Sequence, residues 1–361
     1  MDAARWKTIK ALLATALDRP IAERLAFVEN ACADAGLRAE VMDLLDAYET
    51  SGALRSLAAD DREYELAPGA EVGPYRIRLP IGRGGGGEVY RARDTRLQRD
   101  VALKLLTQSS TQDEGTRRVR EARAAAQLNH RGIAAIYDIV EVDTRAAIVM
   151  EYVPGDSLAD RLRSRPPDPA VVVGVGIEMA DAVAHAHTAG IVHCDLKPGN
   201  MRFAADGSLR ILDFGLARRP ASVPSSAKEA TSATSAVSGL TASSLDGLAL
   251  GTPGYMSPEQ LLGEAIDCRT DVYSMGIVLY EMAAGRRPFL VDGDNDMATA
   301  VAVLASPLPD LPRDVPRKLR SVILKCLGRL PQHRYRDGAE LRDALTSIAA
   351  PSPFKRFTRG L

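Results

Sequence analysis

Apolar residues in the first fifty positions recur at helical spacing. Trp6, Ile9, Leu13 and Leu17 mark one stripe, and Ile21, Leu25, Val28 and Cys32 a second. Leu37, Val41, Leu44, Leu45 and Tyr48 mark a third. Asp18-Arg19-Pro20 separates the first two, since proline is tolerated in a first helical turn, and Gly36 stops the second. Three short amphipathic helices must bury their apolar faces against one another or against a neighbour. Residues 50–73 lose the periodicity and read as a linker. From Tyr75 the period falls to two. YRIRLPI, EVYRARD and DVALKLL read as an antiparallel meander, followed by a helix over about 113–128 and two further strands, AIYDIVEV and AAIVMEYV. Beyond Gly155 the pattern is helical to about Ile348. One stretch breaks it: residues 219–249 are rich in Ser, Thr and Ala and poor in large apolar side chains. Such a segment buries too little surface to offset its ordering entropy, so it reads as a mobile loop.

A strand-rich part followed by a longer helical part is an α+β arrangement. The segments are then 1–49 helical, 50–73 linker, 74–348 the main domain and 349–361 a basic tail, PSPFKRFTRGL. Composition adds little to this, with 46% apolar and 26% charged residues in 361 positions. Net charge is −1, which marks neither nucleic acid nor a membrane surface as partner. Residues 1–73 carry 8 basic and 14 acidic side chains, a net of −6, and the remainder a net of +5. Two independently solvated surfaces account for that split. Cys32, Cys194, Cys268 and Cys326 form no C-x-x-C pair, so neither a disulfide framework nor a zinc site is expected, and a reducing, cytoplasmic location fits. The longest apolar run, AVVVGVGI, ends at Glu178 after eight residues, against about 20 for a membrane span. No span or signal peptide is therefore expected.

The segment IGRGGGGEVYRARD (81–94) fits G-x-G-x-x-G, a pattern shared by two kinds of nucleotide site. In a dinucleotide turn the glycines open a helix. Here Val89 and Tyr90 continue as strand, giving G-x-G-x-x-G-x-V, a loop that covers ATP phosphates. VALK (101–104) follows on the next strand. Further on stand HCDLKPGN (193–200), DFG (213–215), GTPGYMSPEQ (251–260) and DVYSMG (271–276).

In this order the motifs resemble those of the Ser/Thr protein kinases, in particular the bacterial, eukaryotic-like members, over roughly residues 74–348. The resemblance implies a bilobal fold, with a small β-rich lobe (74–151) containing one key helix and a larger helical lobe (154–348). It implies ATP and Mg²⁺ as cofactors, with Mn²⁺ as a substitute, and protein substrates with Ser/Thr acceptors. Ile81, Gly82, Gly84, Gly85, Gly86, Gly87, Val89 and Ala102 would cover the nucleotide. Met150, Glu151, Val153 and Asp156, in VMEYVPGDSL, would line the adenine and ribose. Lys104 would contact the α- and β-phosphates, held by Glu121. Asp195 would accept the substrate hydroxyl proton, and Lys197 would steady the γ-phosphate. Asn200 and Asp213 would hold Mg²⁺, whose preferred ligands are hard oxygens. Thr252 would hydrogen-bond toward Asp195 and Lys197 beside the substrate. Glu259 would pair with a buried Arg334, and Asp271 would anchor the backbone of the catalytic loop.

The chain departs from the family pattern in several places. Cys194 replaces the arginine that pairs with an activation-loop phosphate, so strong dependence on phosphorylation there is not expected. The activation segment, Asp213 to Glu259, spans 47 residues and carries candidate phosphoacceptors Ser225, Ser226, Thr231, Thr234 and Thr241. Ser257 replaces alanine, Arg202 lies where an apolar residue usually underlies the adenine, and Gly199 gives no ground for basic-substrate preference. Gly86 stands where a bulky residue shields the phosphates, so Gly86→Met or Gly86→Phe is expected to tighten ATP binding or raise kcat. A pseudokinase scaffold is the non-enzyme alternative; Lys104, Glu121, Asp195, Asn200 and Asp213 are all retained. A small-molecule kinase is disfavoured by GTPGYMSPEQ. The N-terminal helices are read either as an interaction module for a partner or as a clamp on the small lobe. Related kinases often continue into a membrane span and a sensor domain.

Overall fold

A computed structural model of the chain describes Thr8, Leu12, Thr15, Ala16, Arg19, Asp34, Val41, Met42, Leu45 and residues 21–32 and 36–39 in the N-terminal part. Beyond it the structure describes residues 65–84, 86–107, 112–142, 145–163, 166–214, 252–289 and 296–349. The chain divides into two compact units, Met1–Gly115 with Ile136–Asp156, and Thr116–Ala135 with Ser157–Leu361.

The first unit contains one antiparallel sheet. Its strands are β1 (Glu71–Val72), β2 (Tyr75–Gly84), β3 (Gly87–Asp94), β4 (Arg99–Leu106), β5 (Ile136–Val142) and β6 (Arg145–Glu151). Their order is β1-β2-β3-β4-β6-β5. One face carries Ile77, Tyr90, Ala92, Val101, Leu103, Leu105, Ala147 and Val149, which form the core of the sheet. Central β4 is buried on both faces from Val101 to Leu106, as its unbroken apolar run requires. β1 was not expected, because two residues are too short to show an alternation. It lies in the stretch read as linker, where Leu66 and Ala70 also pack on the sheet core and the Leu66 amide donates to the Tyr90 hydroxyl at 3.1 Å.

The N-terminal part is helical at Thr8, Leu12, Thr15 and Ala16, over α1 (Ile21–Ala31) and at described positions between 36 and 45. Ala16, Val28, Cys32, Val41 and Leu45 form its core. The expected stripe on α1 needs correcting at Leu25, which is 52% exposed. Phe27 packs on the core instead, because the buried stripe runs along Arg24, Phe27, Val28 and Cys32. Trp6, Ile9, Leu13, Leu17, Leu44 and Tyr48 lie outside the described residues.

Helix α2 (Gln112–Ala125) crosses the division and belongs from Thr116 on with the second unit, not with the strands. The second unit is built on α4 (Pro169–Thr188), preceded by α3 (Leu158–Leu162). α4 is the described helix long and apolar enough to cross a membrane, but most of that span is buried inside the unit. Val172, Met179, Ala180, Ala182, Val183 and Ala186 are fully buried, and the Glu178 carboxylate accepts a hydrogen bond from the Leu209 amide at 2.8 Å. Leu209 lies on the hairpin β7 (Met201–Phe203) and β8 (Leu209–Ile211). The remaining helices are α5 (Pro258–Leu262), α6 (Cys268–Ala284), α7 (Asp296–Ala305), α8 (Arg317–Cys326) and α9 (Gly338–Thr346). Asp267 and Asp337 cap α6 and α9 with side-chain acceptors, as short acidic residues do at helix starts. Residues 219–249, with all the candidate phosphoacceptors, lie outside the described residues.

Candidate active site

In the first unit the strand register sorts the expected nucleotide residues onto one face. Val89 is opposite Lys104, and Lys104 opposite Ile148; Arg91 is opposite Ala102, and Ala102 opposite Met150. Opposed residues share a face, and residues two apart in a strand share it too. Val89, Ala102, Lys104 and Met150 therefore lie together, on the face opposite the sheet core. Ala102, Met150 and Lys104 are each buried to more than nine-tenths. Glu151 ends β6, Val153 is buried just beyond it, and Asp156 is exposed.

The glycine loop joins β2 to β3, as expected of strand following glycine. Gly85 lies outside the described residues. At Gly82 and Gly84 an added Cβ would meet nothing within 4 Å. Gly87 is different: its φ is +134°, and a Cβ there would fall 2.0 Å from the Leu105 carbonyl oxygen. Only glycine fits that position. Gly86, where a bulky side chain is expected to tighten ATP binding, lies close to Lys104. A Cβ there would sit 3.2 Å from Lys104 Nζ and 3.3 Å from its Cε, so a larger residue needs the flexible end of the lysine to shift by a few tenths of an ångström.

In the second unit the segment His193–Asn200 is held by hydrogen bonds along most of its length. Asp271 is buried on α6 and accepts from the His193 amide at 2.8 Å and the Cys194 amide at 2.9 Å. His187 Nε2 lies 3.0 Å from the same carboxylate. Burial opposes ionisation of Asp271, but the His187 bond and the two amides outweigh it and hold its carboxyl below the usual range. For His187, burial opposes the charged form and the Asp271 bond pushes its pKa up to about 9. The Gly338 amide donates to its Nδ1 at 3.1 Å, however, which needs that nitrogen unprotonated. The hydrogen-bond geometry decides for the tautomer with its proton on Nε2.

Cys194 adopts φ +67°, an unusual backbone for a residue with a Cβ. Three bonds hold it there: both amides on Asp271, and Gln260 Nε2 donating to the Cys194 carbonyl at 2.8 Å. His193 accepts the Asp195 amide at Nδ1, 3.2 Å, and so donates from Nε2 to the Leu212 carbonyl, 2.9 Å. Its ring meets Phe214 edge-on, 4.5 Å between centroids.

Asp195 is then fixed from two sides. Lys197 Nζ lies 2.8 and 3.1 Å from its carboxylate oxygens, and Asn200 Nδ2 donates to its Oδ2 at 2.9 Å and its carbonyl at 2.8 Å. With Nδ2 so engaged, the remaining side-chain atom of Asn200 able to bind a cation is Oδ1, a hard oxygen acceptor. Asp213 has φ +62°, and the Leu212 amide before it donates to the Asn200 carbonyl at 2.8 Å. Asn200 and Asp213 thus sit on chain segments tied to each other, and an amide oxygen with a carboxylate suits Mg²⁺, which takes few protein ligands beside phosphate oxygens. Among the described residues no cluster of three His, Cys, Asp or Glu side chains could hold a metal alone. Thr252 caps the turn Pro253–Tyr255. Its side chain makes no cap bond there, and no hydrogen bond from it to Asp195 or Lys197 is found among the described residues.

The frame behind this loop is an ion pair. Arg334 Nη1 and Nη2 donate to the two Glu259 oxygens at 2.7 and 2.9 Å, in bidentate geometry. Its other donors reach the carbonyls of Gly328, Arg269 and Arg329. Thr270 Oγ1 adds a bond to Glu259 at 2.8 Å. Burial opposes the Glu259 charge, but Arg334 outweighs it and lowers the carboxyl pKa. Removing one partner of so buried a pair costs about 3–5 kcal/mol. Sequence reasoning missed Gln260 and His187. Gln260 had a legible signal, because Ser257-Pro-Glu-Gln260 is a capping box, with Ser257 and Gln260 bonding each other's amides. His187 had none.

Residues 75–345 match the family model described as the protein kinase domain. The chain is 37% identical over 289 residues to the serine/threonine-protein kinase PknB of Mycobacterium leprae, covering 77% of this chain and 43% of that protein. It is 38% identical over 284 residues to PknB of Mycolicibacterium smegmatis, covering 76% and 43%. A probable serine/threonine-protein kinase of Clostridium acetobutylicum is 36% identical over 280 residues, covering 76% and 40%. This chain thus spans less than half the length of these relatives. Sheet, helices and loop anchors are those of one class, and the chain belongs to the protein kinase family. Within that family it is a member of the bacterial, eukaryotic-like serine/threonine kinases.

Proposed function

We propose that this chain is an active kinase that transfers the γ-phosphoryl group of ATP to Ser/Thr hydroxyls of proteins, with Mg²⁺ (Mn²⁺ as substitute), and that it also phosphorylates itself. The observation that carries this reading is the fixed Asp195, bonded by Lys197 and Asn200 on a backbone anchored by Asp271. In this reading Asp195 orients the acceptor hydroxyl and takes its proton, and Lys197 steadies the transferring phosphoryl group. Lys104 neutralises the α- and β-phosphates. The face bearing Val89, Ala102 and Met150, with Ile81 and the glycines, covers the nucleotide. Backbone groups of Glu151 and Val153 read the adenine, and Asp156 the ribose. Asn200 and Asp213 hold Mg²⁺, which when bound neutralises charge on the phosphates. Thr252 lies beside the acceptor. We place the domain in the cytoplasm, acting on protein and not on nucleic acid. The retained acid, lysine and metal-binding set favours this reading over a scaffold.

The test is transfer of labelled phosphate from ATP to a generic protein substrate and to the chain itself, beside an Asp195→Asn variant. Transfer lost in Asp195→Asn, with its melting temperature kept, is the expected outcome. Equal label in both proteins would overturn the reading.

A further inference from the structure

Strand β2 changes sides as it approaches the glycine loop. Ile77 packs in the sheet core, opposite Ala92. The register slips between Ile77 and Leu79, so that Leu79 stands opposite Arg91. A one-residue slip moves a side chain to the other face. Leu79 therefore joins the face that carries Val89, Ala102, Lys104 and Met150. It is nonetheless buried there, because Ala16, Val28, Cys32, Val41 and Leu45 of the N-terminal helices close over it, with Ile81 at the margin of the same cluster. A second slip, between Pro80 and Gly82, brackets Ile81. The helices and the strand leading into the glycine loop thus share one hydrophobic core.

The loop is paired at its base, with Arg83 opposite Glu88 and Gly84 opposite Gly87, and Arg83 Nη2 donates to the Glu88 carboxylate at 2.6 Å, but its tip is glycine alone. Glycine occupies positions 82, 84, 85, 86 and 87, and glycine has the most backbone freedom to lose on ordering. Its far end is fixed by the close approach of Gly87 to Leu105. Its near end is fixed by Leu79 and Ile81. An anchor at each end lowers the ordering cost that nucleotide binding must otherwise meet.

We propose that the N-terminal helical segment is a positioning element for the nucleotide: through Leu79 and Ile81 it holds the start of the glycine loop and thereby sets the affinity for ATP. The proposal rests on the kinase reading for the identity of the ligand and on the shared core for its geometry. Leu79 and the helix residues touch no substrate; they act through Ile81 and the loop backbone.

The test uses the full chain with Val28→Asp, Leu79→Ala and the volume-conserving Leu79→Met. Val28→Asp breaks the shared core from the side of the helices, and Leu79→Ala truncates it from the side of the strand while keeping every helix side chain. Steady-state kinetics, calorimetric titration with Mg-ATP and hydrogen exchange of the amides of residues 79–84 are read for each. The expected result is a rise of about fivefold or more in KM and Kd for ATP in the first two variants, kcat within about twofold, and faster exchange in β2. Leu79→Met should restore all three. Faster exchange with unchanged ATP affinity would overturn the proposal, as would a fall in kcat at constant KM. If the unaltered chain transfers no phosphate, the kinase reading fails, and the titration and exchange arms still judge this proposal. If Val28→Asp does not fold, Leu79→Ala decides.

Discussion

The glycine loop and the catalytic loop, which the proposed function assigns to the nucleotide and to the acceptor hydroxyl, are held by opposite means. The first is bonded to near neighbours in sequence, Arg83 to Glu88 and Gly84 paired with Gly87, and has open space around Gly82 and Gly84. The second is bonded at His193, Cys194, Asp195 and Asn200, by groups as distant in sequence as Asp271 and Gln260. A loop that must admit and release a nucleotide gains from few internal bonds. A loop that must aim one carboxylate at a hydroxyl gains from many, because misplacement of a reacting group is costly in rate. Stability is correspondingly uneven across the chain, and so are the expected effects of breaking it.

The largest effect is expected on the anchored side. Asp271→Ala leaves the His193 and Cys194 amides without their acceptor, in a site with no exposure. Stability should fall by about 3–5 kcal/mol, and kcat should drop by at least about a hundredfold, as for loss of one preorganised hydrogen-bonding group. Chemical denaturation with steady-state kinetics reads both, and wild-type kcat in a folded variant would remove the anchoring role. Glu259→Gln is next, with about 3 kcal/mol lost from the buried pair. The double variant Glu259→Leu with Arg334→Met should recover part of that loss, since a buried pair replaced together is far cheaper to lose than one partner alone.

Acid should act on the same side first. Glu259 and Asp271 both have folded-state pKa values below their unfolded ones. Their contribution is therefore fully present above the ordinary carboxylate range, near pH 4, and is lost as pH falls through the lowered values. The contribution of these two carboxylates to the denaturation midpoint should be constant from neutral pH to about 5 and fall below that, beside a separate loss below about pH 6.5 from His130, whose pKa burial lowers. Glu259→Gln should flatten the fall.

Effects on the glycine side are smaller and fall on ATP affinity. Gly87→Ala forces a Cβ against the Leu105 carbonyl at a positive φ, so more than about 1 kcal/mol of stability should be lost, with a raised KM for ATP. Gly86→Ala meets only the flexible end of Lys104, and KM should rise by no more than about threefold, a few tenths of a kcal/mol. A lower KM would restore the shielding role that sequence alone suggests for a side chain there.

What could be read from the sequence follows the same divide. The glycine loop, VALK and the catalytic loop are contiguous motifs, and the strands around them alternate, so site and sheet were both legible locally. β1 was not, because Glu71-Val72 is too short to show a period. Leu25 reads as buried from spacing, yet it is exposed and Phe27 packs on the core, since the covered stripe is turned round the helix toward Arg24, Phe27 and Val28. The change of face at Leu79 was invisible, because a register slip depends on the partner strand. Glu259 with Arg334 and Asp271 with the catalytic loop were legible only through family resemblance, as their partners lie about 75 residues away. His187 bonds across 84 and 151 positions. No local pattern encodes that.

Those long spans order events during synthesis. The sheet of the first unit has all its strands once residue 151 has emerged from the ribosome. The loop at His193–Asn200 is made soon after, but its clamp at Asp271 comes 77 and 78 residues later, and the arginine that steadies the helix before it later still. At 5–20 residues per second, roughly the pace of translation, the loop waits several seconds for its anchors. The unusual backbone at Cys194 is therefore acquired late, and the chain can complete the sheet well before it can fix the Asp195 carboxylate in place.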